Sequence, residues 1–440
     1  MPNPYLPLWE YIPDGEPRVF GERVYVYGSH DRVASDRFCD FKLKVWSASI
    51  HDLNHWTCHG DIFHTRDDRD HKSDTAEWTD CELYAPDVIE KDGKYYLYAY
   101  IIDAKGCVAV SDRPEGPFKL LSRYKYDVPA GSAGENGWFI DPGVLVDDDG
   151  RVYVYCGFEK SYMIEVNPDN MYEMIPGSYR EDFIPTEEPF CFFEACSPRK
   201  IGDTYYMIYS PRKGSRLVYA TSKSPTGPFE YRGIIVDNGQ DYPAGNDHGS
   251  IMKIKDQWYI FYHRMTNGTI MSRRACVEKI EILPDGTIPQ VEMTSLGFQD
   301  SLSPYEQTPA ELACVLKGGC MVTERNAFMR PITQIMDGAV IGYKYFDFGE
   351  DYAGNTMKFA ARVRGNGCKA ELYIHLDTED GEEIGCCEIG TDDGMYTAIT
   401  KHVTGRHALY FKVKSPFGGW FKNMADGRHL FEFEEFVFLK

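Results

Sequence analysis

A chain of 440 residues with 68 acidic against 47 basic side chains has a formal net charge of −21, and this excludes a groove for nucleic-acid phosphates, which needs a concentrated positive field. With 43% hydrophobic and 26% charged residues, and no apolar run near the ~18 residues of a membrane span, the composition is that of a soluble, folded protein with no membrane partner. Its length predicts two or three domains, and its 31 Tyr, 25 Phe and 7 Trp favour strands over helices.

The first residues, Met1 to Pro7, contain neither the basic nor the apolar region of an export signal, which predicts a cytoplasmic protein. Thirteen cysteines without a framework spacing fit reduced thiols in that compartment. No CxxC pair or HExxH run marks a metal site. His51, His55 and His59 recur every four residues, but Asp52-Leu53-Asn54 between them reads as a turn in a sheet rather than a helical metal face.

Five short strands then share one template of alternating aromatic and aliphatic residues: Arg23 to Tyr27, Lys94 to Tyr98, Arg151 to Tyr155, Thr204 to Ile208 and Gln257 to Phe261. Aligned on Tyr25, Tyr96, Tyr153, Tyr206 and Tyr259, they recur at intervals of 71, 57, 53 and 53 residues, the period of four-stranded propeller blades with loop insertions. Turns such as Asp92-Gly93 and Asp149-Gly150 precede them, and an apolar strand precedes each turn. The octets Ser111 to Phe118 and Ser222 to Phe229 are near copies whose Pro and Gly suit an outer edge or turn. The predicted architecture is all-β: a five-bladed β-propeller over residues 1–298. The acidic stretch Asp67 to Asp70 falls in the first-to-second blade connection, as a solvated loop near the substrate mouth.

Inner strands of a propeller converge on its axis, so the residues that enter them face one funnel. Counting back 11 or 12 positions from the aligned tyrosines gives Asp14, Asp141, Glu194 and His248, while the second blade offers apolar Ala85. Carboxylates gathered in one channel suit cleavage of a glycosidic bond, in which one acid protonates the leaving oxygen and another activates water or attacks directly. A third raises the acid's pKa by like-charge repulsion.

The segments Pro13-Asp14-Gly15-Glu16-Pro17, Phe139 to Gly143, Phe193 to Pro198 and Asn246 to Ser250 resemble the motifs of glycoside hydrolase family 43, over residues 3 to about 295. The resemblance implies an inverting mechanism with Asp14 as base, Asp141 as pKa-modulating and orienting residue, and Glu194 as general acid. Glu16 is a rival for the base, because the first motif is two residues longer than usual. An inverting pair lies ~6.5–9.5 Å apart, a retaining pair ~5–5.5 Å. The resemblance also implies an oligosaccharide substrate carrying α-L-arabinofuranosyl or β-D-xylosyl units from plant hemicellulose, Arg274 reaching the deepest sugar, and Ca²⁺ near His248 with a shell mostly of water. A backbone-bonded core histidine is the other reading of His248. Trp9, Tyr84 and Trp138 near the blade entrances are candidate sugar-stacking walls. The alternatives are an endo-arabinanase, or a carbohydrate-binding propeller without turnover.

Repeats end near Thr294. Residues 299–318, rich in Ser and Pro at their start, are predicted as a linker, and 319–440 as a β-sandwich of jelly-roll type from alternating strands such as Met357 to Val363 and Phe431 to Phe438. Ile341-Gly342-Tyr343, Phe346 to Gly349 and Leu376-Asp377 resemble carbohydrate-binding module family 6, although Glu434 and Glu435 stand where that module's sugar ligands would be.

Overall fold

The computed structural model describes residues 1–67, 78–102, 105–123, 126–350, 354–417 and 426–440, so Asp67 alone of the predicted acidic loop lies within it. Among the described residues no helix is long and apolar enough to cross a membrane. The described residues among the first 280 form five antiparallel sheets, each from strands consecutive in the chain. Their inner strands are Glu16–Phe20, Asp87–Lys91, Gly143–Val146, Phe192–Ile201 and Ser250–Ile254, and the template strands lie second in every sheet. The repeated Ser-to-Phe octets are turns between third and fourth strands.

The inner strands of blades one to four touch in sequence, and that of blade five touches that of blade one. Between blades four and five, the Ser197 hydroxyl donates to Ser250 Oγ (2.8 Å) and Arg199 Nε to the Ile251 carbonyl (2.9 Å). The ring is therefore closed: a five-bladed propeller. Blade five has three strands. The N-terminal segment runs beside its outer strand Thr269–Ile280, with Tyr5 N–H donating to the Ala275 carbonyl and Val277 N–H to Asn3 Oδ1.

Side-chain alternation explains the packing. In Arg23–Tyr27, Val24 and Val26 enter the apolar seam shared with blade five, whereas Tyr25 and Tyr27 enter the seam shared with blade two. In Val152–Cys156, Val152 and Val154 face blade two while Tyr153 and Tyr155 face blade four. Each template strand thus fills two seams.

The axis itself is charged. Glu16 is buried and pairs with Arg199, Ser197 Oγ (2.9 Å) and Ser250 Oγ (3.2 Å), while Arg18 grips Asp87 through two N–H groups (3.0 and 2.5 Å). Blade inner strands also approach closely at Gly143, where an added Cβ would lie 2.2 Å from the Cys196 carbonyl oxygen and 2.5 Å from Pro198 Cδ. Backbone cannot yield as a side-chain tip does. Gly143→Ala is expected to cost about 1–3 kcal/mol by overpacking, read as a lowered thermal midpoint.

Beyond the propeller, two sheets face each other. One runs Met321–Val322, Ile332–Ile335, Phe431–Leu439, Thr356–Gly365, Gly394–Lys401; the other Val315–Lys317, Val340–Asp347, Arg406–Lys414, Ala370–Leu376, Glu383–Ile389. Aromatic rings interdigitate between them, Tyr343 and Phe411 each 5.0 Å from Phe436, as a sandwich requires. The predicted linker is built into this unit: Thr308–Pro309 pairs with the last strand, Ala310–Leu312 forms a buried 3₁₀ turn, and Val315–Lys317 pairs with Val340–Asp347. Glu434 and Glu435 face Arg364 and Arg362 as ion partners. One continuous apolar core joins the sandwich to blades four and five, through residues such as Tyr206, Ile260, Leu312 and Phe346.

Candidate active site

Left-handed backbone occurs at Asp14 (φ +58°) and Asp141 (φ +53°), which lead into inner strands, and at Ala195 (φ +68°), next to Glu194 within the inner strand Phe192–Ile201. Asp tolerates this region better than most residues, and strain held by surrounding structure is a common mark of functional sites. At Glu194 the strand register also slips on both sides, between Phe192 and Glu194 and between Glu194 and Ser197, which turns the side chain out of the ladder. All three carboxylates line a single pit of about 210 Å³ at the hub. That is smaller than the ~300–1,000 Å³ typical of drug-sized ligands, and suits one sugar ring.

The pit holds its acids in opposite states. Asp14 is buried, which opposes ionisation, but the Arg273 guanidinium foremost and the Ser29 hydroxyl hold its carboxyl below the ordinary aspartate range. Arg273 Nη1 donates to Asp14 Oδ1 (2.8 Å) and Ser29 Oγ to Asp14 Oδ2 (2.6 Å). Glu194 is pushed up to about 7, by burial first and then by the charge on Asp14. Asp141 is raised well above its usual value by burial, then by Glu194 and Asp14. Asp141 and Glu194 are thus both raised, and the charge on Asp14 acts on each. Asp14 is the pit acid in direct contact with the Arg273 guanidinium, and that contact favours its ionised form.

The histidines are neutral. Burial lowers His248, whose Nδ1 lies 3.8 Å from Asp14 Oδ1 and 3.7 Å from Asp141 Oδ2. His263 is brought down to about 3 by burial and then by Arg273. Its Nδ1 accepts from the Asp14 N–H (3.3 Å), so the proton sits on Nε2, facing the Asn246 carbonyl (3.2 Å). The protein oxygens that face His248 are those of Asp14 and Asp141, and past it on the axis Ser250 Oγ accepts from the Arg199 guanidinium (2.5 Å). Among the described residues no group of three or more His, Cys, Asp or Glu that could hold a metal ion occurs.

Of the expected sugar contacts, Tyr84 and Trp138 line the pit, and Trp138 stacks on Phe158 at 5.4 Å. Trp9 does not line it: its ring packs on Trp46 at 5.9 Å and is 53% exposed. Arg274 is a correction. Adjacent residues of a strand point to opposite faces, and Arg273 enters the pit while Arg274 points to the sandwich, where Nη1 meets Glu311 Oε2 at 2.5 Å. Glu16, the rival base, belongs to the axial ion network. Sequence reasoning missed Arg273 by one position, and it missed Phe38, Cys39, Ile102, Phe158 and Asn246, which reach the pit from loops of no fixed spacing. Asp31, which grips Arg273 through Nε (2.9 Å) and Nη2 (3.0 Å), carried no signal either.

The family model described as glycosyl hydrolases family 43 matches residues 12–288. The chain belongs to that family. Among curated proteins, a xylosidase/arabinosidase of Thermoclostridium stercorarium is 38% identical, over 94% of this family 43 chain and 96% of that one. Among solved structures, a β-xylosidase/α-arabinofuranosidase from a compost microbial metagenome, in complex with xylotriose in a calcium-free form, covers 66% of this chain and 98% of its own at 27% identity and TM-score 0.52. A family 43 arabinoxylan arabinofuranohydrolase from Bacillus subtilis matches in fold over 99% of this chain and 97% of that one, at 24% identity and TM-score 0.54. As a family 43 member the protein is a glycosidase.

Proposed function

We propose that the protein is an inverting exo-glycosidase that releases single α-L-arabinofuranosyl or β-D-xylosyl units from plant hemicellulose oligosaccharides. The observation that carries the glycosidase reading is one small pit that joins Asp14, in contact with the Arg273 guanidinium, to Glu194, which burial favours in its protonated form; inversion is what the family resemblance implies. Asp14, ionised, takes a proton from the attacking water; Glu194, protonated, gives one to the departing glycosidic oxygen. Asp141 keeps its own proton beside them and orients Glu194 or a sugar hydroxyl. Tyr84, Trp138 and Phe158 supply flat apolar walls for the faces of a ring, and Arg273 and Asn246 supply donors for its hydroxyls. A pit with room for one ring supports removal of terminal or branch units over cleavage within a chain. The pentose specificities follow the relatives, named for xylosidase and arabinosidase activity.

The test is a panel of 4-nitrophenyl glycosides with the anomer of the first-formed sugar read by NMR. Hydrolysis of the α-L-arabinofuranoside or β-D-xyloside with inverted product is expected, and their relative rates rank the two sugars. A retained anomer would remove Asp14 from the role of base, and no turnover of any pentoside would leave a binding propeller.

A further inference from the structure

Arg273 is the cation that keeps Asp14 ionised, and two chains of contacts run from it to the C-terminal sandwich. The first follows the strand Thr269–Ile280. Next to Arg273, buried Arg274 reaches Glu311 of the 3₁₀ turn Ala310–Leu312, whose carboxylate is itself buried. The second follows the segment leading to Asp14. The Tyr11 hydroxyl donates to Glu324 Oε2 (2.6 Å), the Tyr11 carbonyl accepts from the Asp31 N–H (2.9 Å), and the Asp31 carboxylate grips Arg273. Glu324 is fixed in turn by Arg330 Nε (3.1 Å), and its N–H donates to Asn267 Oδ1 (2.7 Å) in the turn that opens the same strand. The two chains touch where the Arg274 guanidinium lies over the Tyr11 ring, 5.3 Å from its centre.

We propose that Glu311 and Glu324 of the sandwich are positioning residues of the active site, which hold Arg273, and through it Asp14, in the reactive geometry. The C-terminal domain is on this view part of the catalytic device. The physical basis is that Arg273 shares its grip between Asp31 and Asp14, so small rotations of its strand or of the Tyr11 segment alter the 2.8 Å contact with Asp14 directly. The inference rests on Asp14 acting as the base.

The experiment compares Tyr11→Phe, which removes one hydroxyl; Glu311→Gln, which removes one charge; and the charge-free pair Arg274→Met with Glu311→Leu. A buried ion pair replaced as a whole by apolar side chains usually keeps its fold, so the pair reports on positioning even where Glu311→Gln does not fold. Activity on the pentoside that the wild type cleaves is measured from pH 3 to 9, with thermal midpoints alongside. Asp14 is faced by Arg273 and His263 of blade five, His248 at that blade's inner-strand entry, Asp31 behind Arg273, and Asp141 and Glu194 across the pit; all six remain in every variant. Loss of position is expected to lower kcat by about 10- to 100-fold with KM within about threefold, and to move the acidic limb of kcat/KM to higher pH as the cation withdraws from Asp14. A lowered thermal midpoint with wild-type kcat and acidic limb, in Tyr11→Phe or in the charge-free pair, would overturn the arm it tests. Wild-type protein inactive on every pentoside would instead overturn the function reading, and this inference with it.

Discussion

Glu194→Gln should lower kcat by about 10²–10⁴-fold on substrates with a poor leaving group, the usual contribution of a positioned acid. Glutamine keeps the shape of the side chain but has no proton to give. The loss should shrink as the leaving group improves, because a stable nitrophenolate departs without protonation; equal losses across a leaving-group series would remove Glu194 from the role of acid. Wild-type kcat/KM should fall as pH rises through about 7, where Glu194 gives up its proton, and that alkaline limb should vanish in the variant. Stability should fall with rising pH as well. Between the ordinary glutamate pKa and the raised folded value, the native state holds a proton that the unfolded chain has released, so folding weakens with rising pH by up to about 1.4 kcal/mol per unit. Glu194→Gln removes that penalty, and its gain in thermal midpoint should be larger at pH 8 than at pH 5.

Asp14→Asn is the second large effect. An amide cannot take a proton from water, so kcat should again fall by about 10²–10⁴-fold, here with little dependence on the leaving group. The contrast between the two variants distinguishes base from acid. In the wild type the acidic limb should lie below the ordinary aspartate value, because the Arg273 guanidinium and the Ser29 hydroxyl outweigh the burial that opposes ionisation. In Asp14→Asn that limb should disappear. The sign for stability is reversed relative to Glu194: the folded pKa is depressed, so the contribution is present above the unfolded value and lost as pH falls through the folded one. A variant that kept wild-type kcat, with its acidic limb in place, would transfer the base to another group in the pit. Arg273 connects the two predictions, since it holds Asp14 ionised and Asp14 in turn helps keep Glu194 protonated.

The propeller was legible because its signal is local and repeated. Alternation of Tyr with Val in Arg23–Tyr27 and Val152–Cys156 encodes which seam each side chain fills, and five copies at near-constant spacing encode the number of blades. Asp14, Asp141 and Glu194 were legible for the same reason: each stands 11 or 12 positions before its blade's aligned tyrosine, although Glu194 lies within its inner strand at a break in register. Sequence spacing by itself therefore determined the architecture and the three acids. Only the tertiary structure decided between Arg273 and Arg274, because the phase of a strand relative to the axis depends on its partners, and one position exchanges the pit for the domain interface. It also placed Trp9 against Trp46 outside the pit, and set Glu16 into the axial ion network. The protonation pattern belongs to the same class. Asp14, Asp141 and Glu194, with Asp31 on the same guanidinium as Asp14, divide their protons according to distances that no single segment contains, and electrostatics in a low-dielectric pit sums over every blade.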